Sequence, residues 1–541
     1  MNEEESFLVF RAYLLRREFT LLDVFLWVIA APLASGLIYY SVSAVGFHGY
    51  YGGVVYLAFL LGGVIFLPIT LAFMVTASSL PRSASPYVLS TRSLSVLAGY
   101  IATVVYLFIS GGLLSIGFLA FSSIGVIGDG LILGGYISGS RILAGLGEYL
   151  KNPAIAFIST LVVFTILFFA ESYGRRMVKI LLYASTITPL VIYLAVLLSM
   201  YPFSNSVFKS NWDKLFNNSY QAIISIALQG GVVNGSIVEP LKPVDMWSGT
   251  ISLVTMAMWA YMGVEAASFI ASEVKDPSRT YRRGYIAGYL LLLAIYTSTP
   301  VAITSLAGYD FLAAYSYLYH SNPVLLKSLM RVEGPLPSPS MVTVISVYTN
   351  SVFSTMLFTI TAFLLYFDTL LVTWVSAVRI LFTLSEDHLM PRLLSKVSRK
   401  YSVPFYSNLL IYILSVVVAL LTVYIRSQPA LEHAFLRYMN LGYAVFVAII
   451  GLSLVNIPLA SRSLRGWFKH MREWQLRFLG LIVFITGFLM AGFDLMWFSL
   501  RDLAVISVIL TGVVASYIAV TGYMKRRGVV YEELVSRVPQ M

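Results

Sequence analysis

Stretches of 18 or more mostly apolar residues recur along the whole chain, and no other feature narrows its folding choices as far. At 1.5 Å per residue, each is long enough for a helix to cross a hydrocarbon core of about 30 Å. Inside lipid every backbone amide and carbonyl needs a partner within the protein, which leaves only helices and closed barrels. Barrel strands alternate with period two, and these stretches do not. They fall at 22–44 (span 1), 54–76 (span 2), 94–125 (span 3), 153–170 (span 4), 178–200 (span 5), 248–272 (span 6), 284–307 (span 7), 349–384 (span 8), 405–425 (span 9), 440–460 (span 10), 478–499 (span 11) and 502–523 (span 12). The prediction is an all-α membrane protein of about twelve transmembrane helices. Composition agrees: 58% hydrophobic and 11% charged residues, with a mean hydropathy of +0.83, lie far from soluble usage.

The acidic start Met1-Asn2-Glu3-Glu4-Glu5 precedes a basic patch and only then the first apolar run. That order is not that of a cleavable signal, so the run is expected to remain as span 1. Cysteine is absent, which excludes disulfides and thiolate metal sites. A net charge of +11 raises the question of nucleic acid, but its distribution answers otherwise. With the N-terminus in the cytoplasm, the inward-facing segments hold 26 of the 36 Lys and Arg. Cations retained on the cytoplasmic side produce such asymmetry. The expectation is a multi-pass plasma-membrane protein with both termini inside, its partners a small-molecule substrate and the bilayer, with no nucleic acid.

Three connections on the predicted outer side are long: 126–152, 201–247, and 308–348 with Pro335-Leu336-Pro337-Ser338-Pro339. They are expected as loops able to restrict access. Asn217-Asn218-Ser219 and Asn234-Gly235-Ser236 fit the glycosylation sequon there. Two spans look internally broken. Span 1 carries Pro32 and then Ala34-Ser35-Gly36, and span 6 carries Gly263 beside the ionisable Glu265. Proline lacks an amide donor and glycine resists helical fixation, so each is a weak point in the hydrogen-bond ladder. Ordinary kinks explain either break alone. The two lie five spans apart, however, and an odd number of crossings turns the second set of five upside down relative to the first, as in an inverted repeat. The chain then divides into a cytoplasmic N-terminus (1–20), a first five-helix repeat (21–200), an extracellular loop (201–247), a second, inverted five-helix repeat (248–460), helices 11 and 12 (461–523) and a cytoplasmic C-terminus (524–541).

Three stretches resemble the amino acid/polyamine/organocation superfamily of transporters. Pro81-Arg82-Ser83-Ala84-Ser85-Pro86-Tyr87-Val88, continued to Ser90-Thr91-Arg92, is similar to the family's Pro-Arg-Ser-Gly-Gly-Asp-Tyr-Val segment followed by Ser-Arg, with Ala84-Ser85-Pro86 in place of Gly-Gly-Asp. Trp259-Ala260-Tyr261-Met262-Gly263-Val264-Glu265, then Glu273-Val274-Lys275-Asp276-Pro277-Ser278-Arg279, is similar to its aromatic-rich Gly-x-Glu helix and Glu-Val-Lys-Asn-Pro-x-Arg exit. Arg379 with Glu386-Asp387-His388-Leu389-Met390-Pro391 is similar to its Arg followed by Arg-Asp-Gly-Leu-Pro. The resemblance runs from span 1 to about span 10. It implies the bacterial leucine-transporter fold, with ten helices in two inverted sets of five and two peripheral ones. It also implies transport of amino acids or related organic cations. Two departures stand out. Ala34 replaces the first glycine of the family's Gly-Ser-Gly break, and Ser185-Thr186-Ile187-Thr188-Pro189 occupies the span 5 stretch where some proton-coupled members place a lysine.

A zwitterion entering a low-dielectric bundle needs partners for both charged ends. Amides near Ala34, Ser35 and Gly36, where span 1 restarts, suit a carboxylate. Carbonyls near Ala31 and Tyr261, at the ends of the first half-helices, suit an ammonium group. Trp259, one turn before Gly263, is placed to cover the substrate or else simply packs. Glu265 reads as a gating or structural acid that accepts amides freed at Gly263. Asp368 lies mid-span 8, flanked by Tyr366, Thr369, Thr373 and Trp374. Its ionised form is costly in lipid, so it is protonated, paired or solvated. With Thr369 it is the candidate coupling site between spans 8 and 1, for H⁺ or Na⁺, against a purely structural role. Asp494, near the end of span 11, is expected to reach the interface.

No phosphate-binding Gly-x-x-x-x-Gly-Lys-Ser/Thr loop occurs, and the five histidines show no metal-ligand spacing. No hydrolase motif is present, so no catalytic residue, metal or organic cofactor is expected. An exchanger, a polyamine or nucleobase permease, a channel and a substrate sensor remain as alternatives on the same fold.

Overall fold

The computed structural model describes residues 15–528 except 234–235, 427–428, 461 and 497. The acidic start, the second sequon at Asn234 and the end of the predicted C-terminal tail lie outside the described residues. The chain is an all-α membrane protein in which, among the described residues, ten helices are long and apolar enough to cross a bilayer. They run Val55–Ser79, Val96–Ser138, Pro153–Ser172, Arg175–Ser199, Pro277–Ala307, Val352–Glu386, Phe405–Arg426, Phe435–Leu459, Glu473–Leu495 and Leu500–Arg526. Their burial ranks them: the most apolar stretch of Val352–Glu386 is 72% buried inside the protein and that of Leu500–Arg526 0%. Span 8 is therefore central, while span 12 presents its surface to lipid.

Spans 1 and 6 are each interrupted. Span 1 is the helix Leu21–Ala30 and, after a turn, the helical segment Gly36–Gly46. Span 6 is Met246–Ala260 followed by the short helix Ala266–Phe269. A third interruption, which the apolar run hid, divides span 3 into Val96–Phe108 and Leu113–Ser138. Its turn ends on Gly111-Gly112, where an added Cβ at Gly112 would lie 2.7 Å from the carbonyl carbon of Leu107.

The three long connections are not the open loops expected. Residues 126–152 continue the helix Leu113–Ser138 and then form Arg141–Lys151. Glycines let these two helices touch: a Cβ on Gly147 would lie 2.5 Å from the Gly128 carbonyl oxygen. Residues 201–247 contain the helices Asn205–Leu215 and Tyr220–Gln229 and a small hairpin, Gly231–Val233 with Ser236–Val238. Residues 308–348 contain Tyr309–Ser321, Pro323–Met330 and most of Met341–Thr349. Phe208 and Trp212, four residues apart on one helix face, pack against Phe311 at ring distances of 5.5 and 4.7 Å. This aromatic seam joins two connectors into a cap over one end of the bundle.

Buried charge pairs tie the opposite end. Arg175 pairs with Glu273 at 2.5 Å, and Arg379 pairs with Glu171 at 2.6 Å and also with Glu273. Arg92 meets Asp387 at 2.5 Å, and the Tyr87 hydroxyl donates to the same carboxylate at 2.7 Å. Asp23 holds Lys179 at 2.9 Å and accepts from the Tyr183 hydroxyl at 2.8 Å. In a dry interior, charges persist when each has a partner and further hydrogen bonds. Here the partners come from the ends of spans 1, 4, 5, 6 and 8 and from the connection between spans 2 and 3.

Candidate functional site

The breaks of spans 1 and 6 face each other midway through the bundle, and the side chain of each position decides how close they come. Gly263 has φ +112°, open to glycine at little cost, and a Cβ there would lie 3.0 Å from the carbonyl carbon of Ala31. At Gly36 a Cβ would lie 2.5 Å from the Tyr296 hydroxyl and 2.7 Å from the Ala260 Cβ. Two glycines thus let each break seat against the other.

Between them lies a cavity of about 80 Å³. Ala34, Ser35, Gly36, Trp259, Gly263, Glu265 and Thr369 all line it. Its remaining wall is largely apolar, from Phe118, Leu119, Met262 and Met439. Trp259, on the cavity wall, is half-buried, and its ring is braced edge-on by Tyr40 at 4.9 Å.

Several backbone groups freed by the breaks already have partners. The Tyr296 hydroxyl lies 2.6 Å from the Pro32 carbonyl and 3.0 Å from the Ala260 carbonyl, bridging the two breaks. Thr369 donates to the Ala30 carbonyl at 2.9 Å. Glu265, buried, accepts from the Gly263 amide at 3.0 Å and from the Tyr106 and Tyr443 hydroxyls at 2.9 Å each. Three donors around one carboxylate tie the span 6 break to spans 3 and 10. A carbonyl has two lone pairs, so those engaged by Tyr296 and Thr369 retain capacity for a second donor.

Asp368 does not line the cavity. It is fully buried and faces span 5 rather than span 1: the Ser185 hydroxyl lies 2.8 Å from one oxygen and the Thr186 hydroxyl 2.6 Å from the other. Its neighbour Thr369 makes the contact to span 1. Asp494 stands one residue before the end of the helix Glu473–Leu495 and is buried there, its two oxygens bonded by the Asn440 side-chain amide at 2.9 and 2.7 Å.

Tyr106, Tyr296 and Tyr443 were not singled out from the sequence. A signal for the second was present. Tyr281, Tyr285 and Tyr289 recur every fourth residue along span 7, and Tyr281 and Tyr289 donate to the Ala267 and Gly63 carbonyls at 2.7 and 2.6 Å. The stripe thus marks a buried face whose hydroxyls reach backbone carbonyls of two other spans, the broken span 6 at Ala267 and the unbroken helix Val55–Ser79 at Gly63.

No group of three or more potential metal ligands occurs among the described residues. No curated protein matches the chain. The family model described as amino acid permease matches residues 19–514, a range that takes in both breaks, the cavity between them and the buried charge pairs. A membrane-embedded helical bundle matched over nearly its whole length in this way belongs to the amino acid permease family of the amino acid/polyamine/organocation superfamily.

Proposed function

We propose that this permease is a secondary transporter that moves small neutral amino acids by alternating access, coupled to protons through Asp368. The observation that supports the reading is the cavity lined by the breaks of spans 1 and 6, with Phe118, Leu119, Thr369, Thr373 and Met439 also on its wall. Twelve crossings would follow if the broken spans 1 and 6 each cross once beside the ten long helices, and breaks five spans apart favour two inverted sets of five. The distribution of Lys and Arg favours cytoplasmic termini in the plasma membrane.

The amides that open the second half of span 1, near Ala34, Ser35 and Gly36, would take the substrate carboxylate. Carbonyls around both breaks would take its ammonium group through their second lone pairs. Among the described residues Glu265 is the only carboxylate on the cavity wall, and its three donors commit it to holding the span 6 break. That leaves none of the described side chains to balance a charged substrate side chain. The modest cavity volume of about 80 Å³ favours a small amino acid over a bulky one.

Proton accounting supports Asp368. The Ser185 hydroxyl also lies 2.7 Å from its own helix's Leu181 carbonyl, and the Thr186 hydroxyl 2.7 Å from that of Leu182. Each hydroxyl has a single proton to give. When Asp368 is ionised, both hydroxyls donate to it. When it is protonated, the acid donates to one hydroxyl, which turns its own proton to its helix carbonyl. Both states satisfy every group without moving a heavy atom. Sodium fits less well, because these oxygens already sit at hydrogen-bond distance from one another.

Uptake by the purified protein in proteoliposomes, screened across amino acids, polyamines and nucleobases with and without an inward proton gradient, tests the reading. The expected result is gradient-dependent accumulation of alanine-sized neutral amino acids. Movement of only nucleobases or polyamines would refute the substrate, and strict one-for-one exchange would make the protein an exchanger.

A further inference from the structure

The connection between spans 10 and 11 builds a cleft of about 240 Å³ that the transport cycle does not use. Its floor is apolar and closed: Ile457, Phe468 and Leu476 are buried. Its rim is basic, from Arg465, Lys469 and Arg472, all exposed. Among the described residues Glu473 is the one acid lining it, and it pairs with Arg465. That pair is about half exposed on both sides, so it is weak and open to competition.

Position selects the occupant. The long helix before the cleft ends at Leu459 and the next begins at Glu473, so the cleft lies at a bilayer surface. Trp474, 60% exposed, stands beside it as an interfacial aromatic does. A basic rim above an apolar floor, at headgroup depth, matches a molecule with an anionic phosphodiester at one end and acyl chains at the other. We infer that this cleft binds an anionic phospholipid of the adjoining leaflet, its phosphate between Lys469 and Arg472 and the start of its chains over Phe468 and Leu476. A free phosphate shares the headgroup chemistry but has nothing to place on the floor.

The test compares phosphatidylglycerol, phosphatidylcholine and inorganic phosphate as ligands of the purified full-length protein in detergent, read by native mass spectrometry and thermal melting. Phosphatidylglycerol alone is expected to remain bound and to raise the melting temperature. Lys469→Gln with Arg472→Gln should weaken its binding about 30-fold, from roughly fivefold per cationic charge at a bilayer surface. Glu473→Gln should strengthen it, because Arg465 is released toward the headgroup. Lys525→Gln with Arg526→Gln, which removes equal charge elsewhere, should leave binding unchanged. Equal loss in that control pair, full binding in the Lys469/Arg472 pair, or the same stabilisation by phosphate alone would each overturn the site. Should the Lys469/Arg472 pair fail to fold, weaker or unchanged binding in Glu473→Gln would overturn it instead.

Discussion

Asp368 and Gly36 show how much of the proposed mechanism rests on single atoms. Asparagine at position 368 keeps the shape of aspartate and both hydrogen bonds, its amide donating to one of the Ser185 and Thr186 hydroxyls and its carbonyl accepting from the other. It cannot gain or lose a proton. Asp368→Asn is therefore expected to fold and to exchange substrate at near the normal rate, yet to lose gradient-driven accumulation in proteoliposomes. Full accumulation would make Asp368 a structural acid. Gly36→Ala acts through space instead. Its methyl group would fall within 2.5 Å of the Tyr296 hydroxyl and 2.7 Å of Ala260, an overlap that costs about 1–3 kcal/mol in a packed interior. Uptake should drop with it, and Gly36→Ala should cost less stability in a Tyr296→Phe background than in the unaltered protein, because the overlapping oxygen is already gone there. An equal cost in both backgrounds would place the conflict elsewhere.

At the scale of elements, the helix ends carry more of the fold's specificity than the apolar faces do. Arg379 on span 8 is held by Glu171 after span 4 and by Glu273 after span 6, all fully buried. Arg379→Met leaves the two carboxylates with one arginine between them, and loss of one partner from such a group costs about 3–5 kcal/mol. A marked fall in thermal stability is expected, and an unchanged melting temperature would show that the network is dispensable. A surface cap gives a gentler test. Asp245 accepts from the Trp247 and Ser248 amides at 3.1 and 3.0 Å, where Met246–Ala260 begins, and hydrogen bonding from Ser248 holds its carboxyl below the usual range. A depressed folded value means the cap's contribution is present above the ordinary aspartate range of about 4 and fades as pH falls through the depressed value. Asp245→Ala should thus lower the melting temperature at neutral pH and have little effect in strong acid. Much of this was open to reading in the sequence. Pro32, Gly36 and Gly263 announce interrupted helices because their backbone chemistry is local. Ala34, Ser35, Trp259 and Glu265 follow from their place beside those breaks. What was hidden depends on distant partners: Tyr296 across from Pro32, Ser185 and Thr186 across from Asp368, and the helices in 126–152, which pack on each other at their glycines.

For the whole molecule, the two ends of the bundle are built differently, and the alternating access proposed above would require both to open. One end is sealed by desolvated ion pairs such as Arg175 with Glu273 and Arg92 with Asp387, the other by aromatic contacts among the helical connectors, such as Trp212 with Phe311. The cationic residues predict which end faces the cytoplasm, and the absence of cysteine makes that prediction measurable without background. Ser321 closes the connector helix Tyr309–Ser321 on the aromatic end, and Arg399 lies beyond the helix Val352–Glu386 on the ion-paired end; both are exposed. That intervening helix has 35 residues and is therefore about 52 Å long, enough for one full crossing. In intact cells, a membrane-impermeant maleimide should label Ser321→Cys and spare Arg399→Cys, while permeabilised cells should label both. The reverse pattern would invert the orientation derived from the charges. Labelling of both sites in intact cells would place them on one side of the membrane, and an odd crossing between them, with the inverted repeat that depends on it, would be lost.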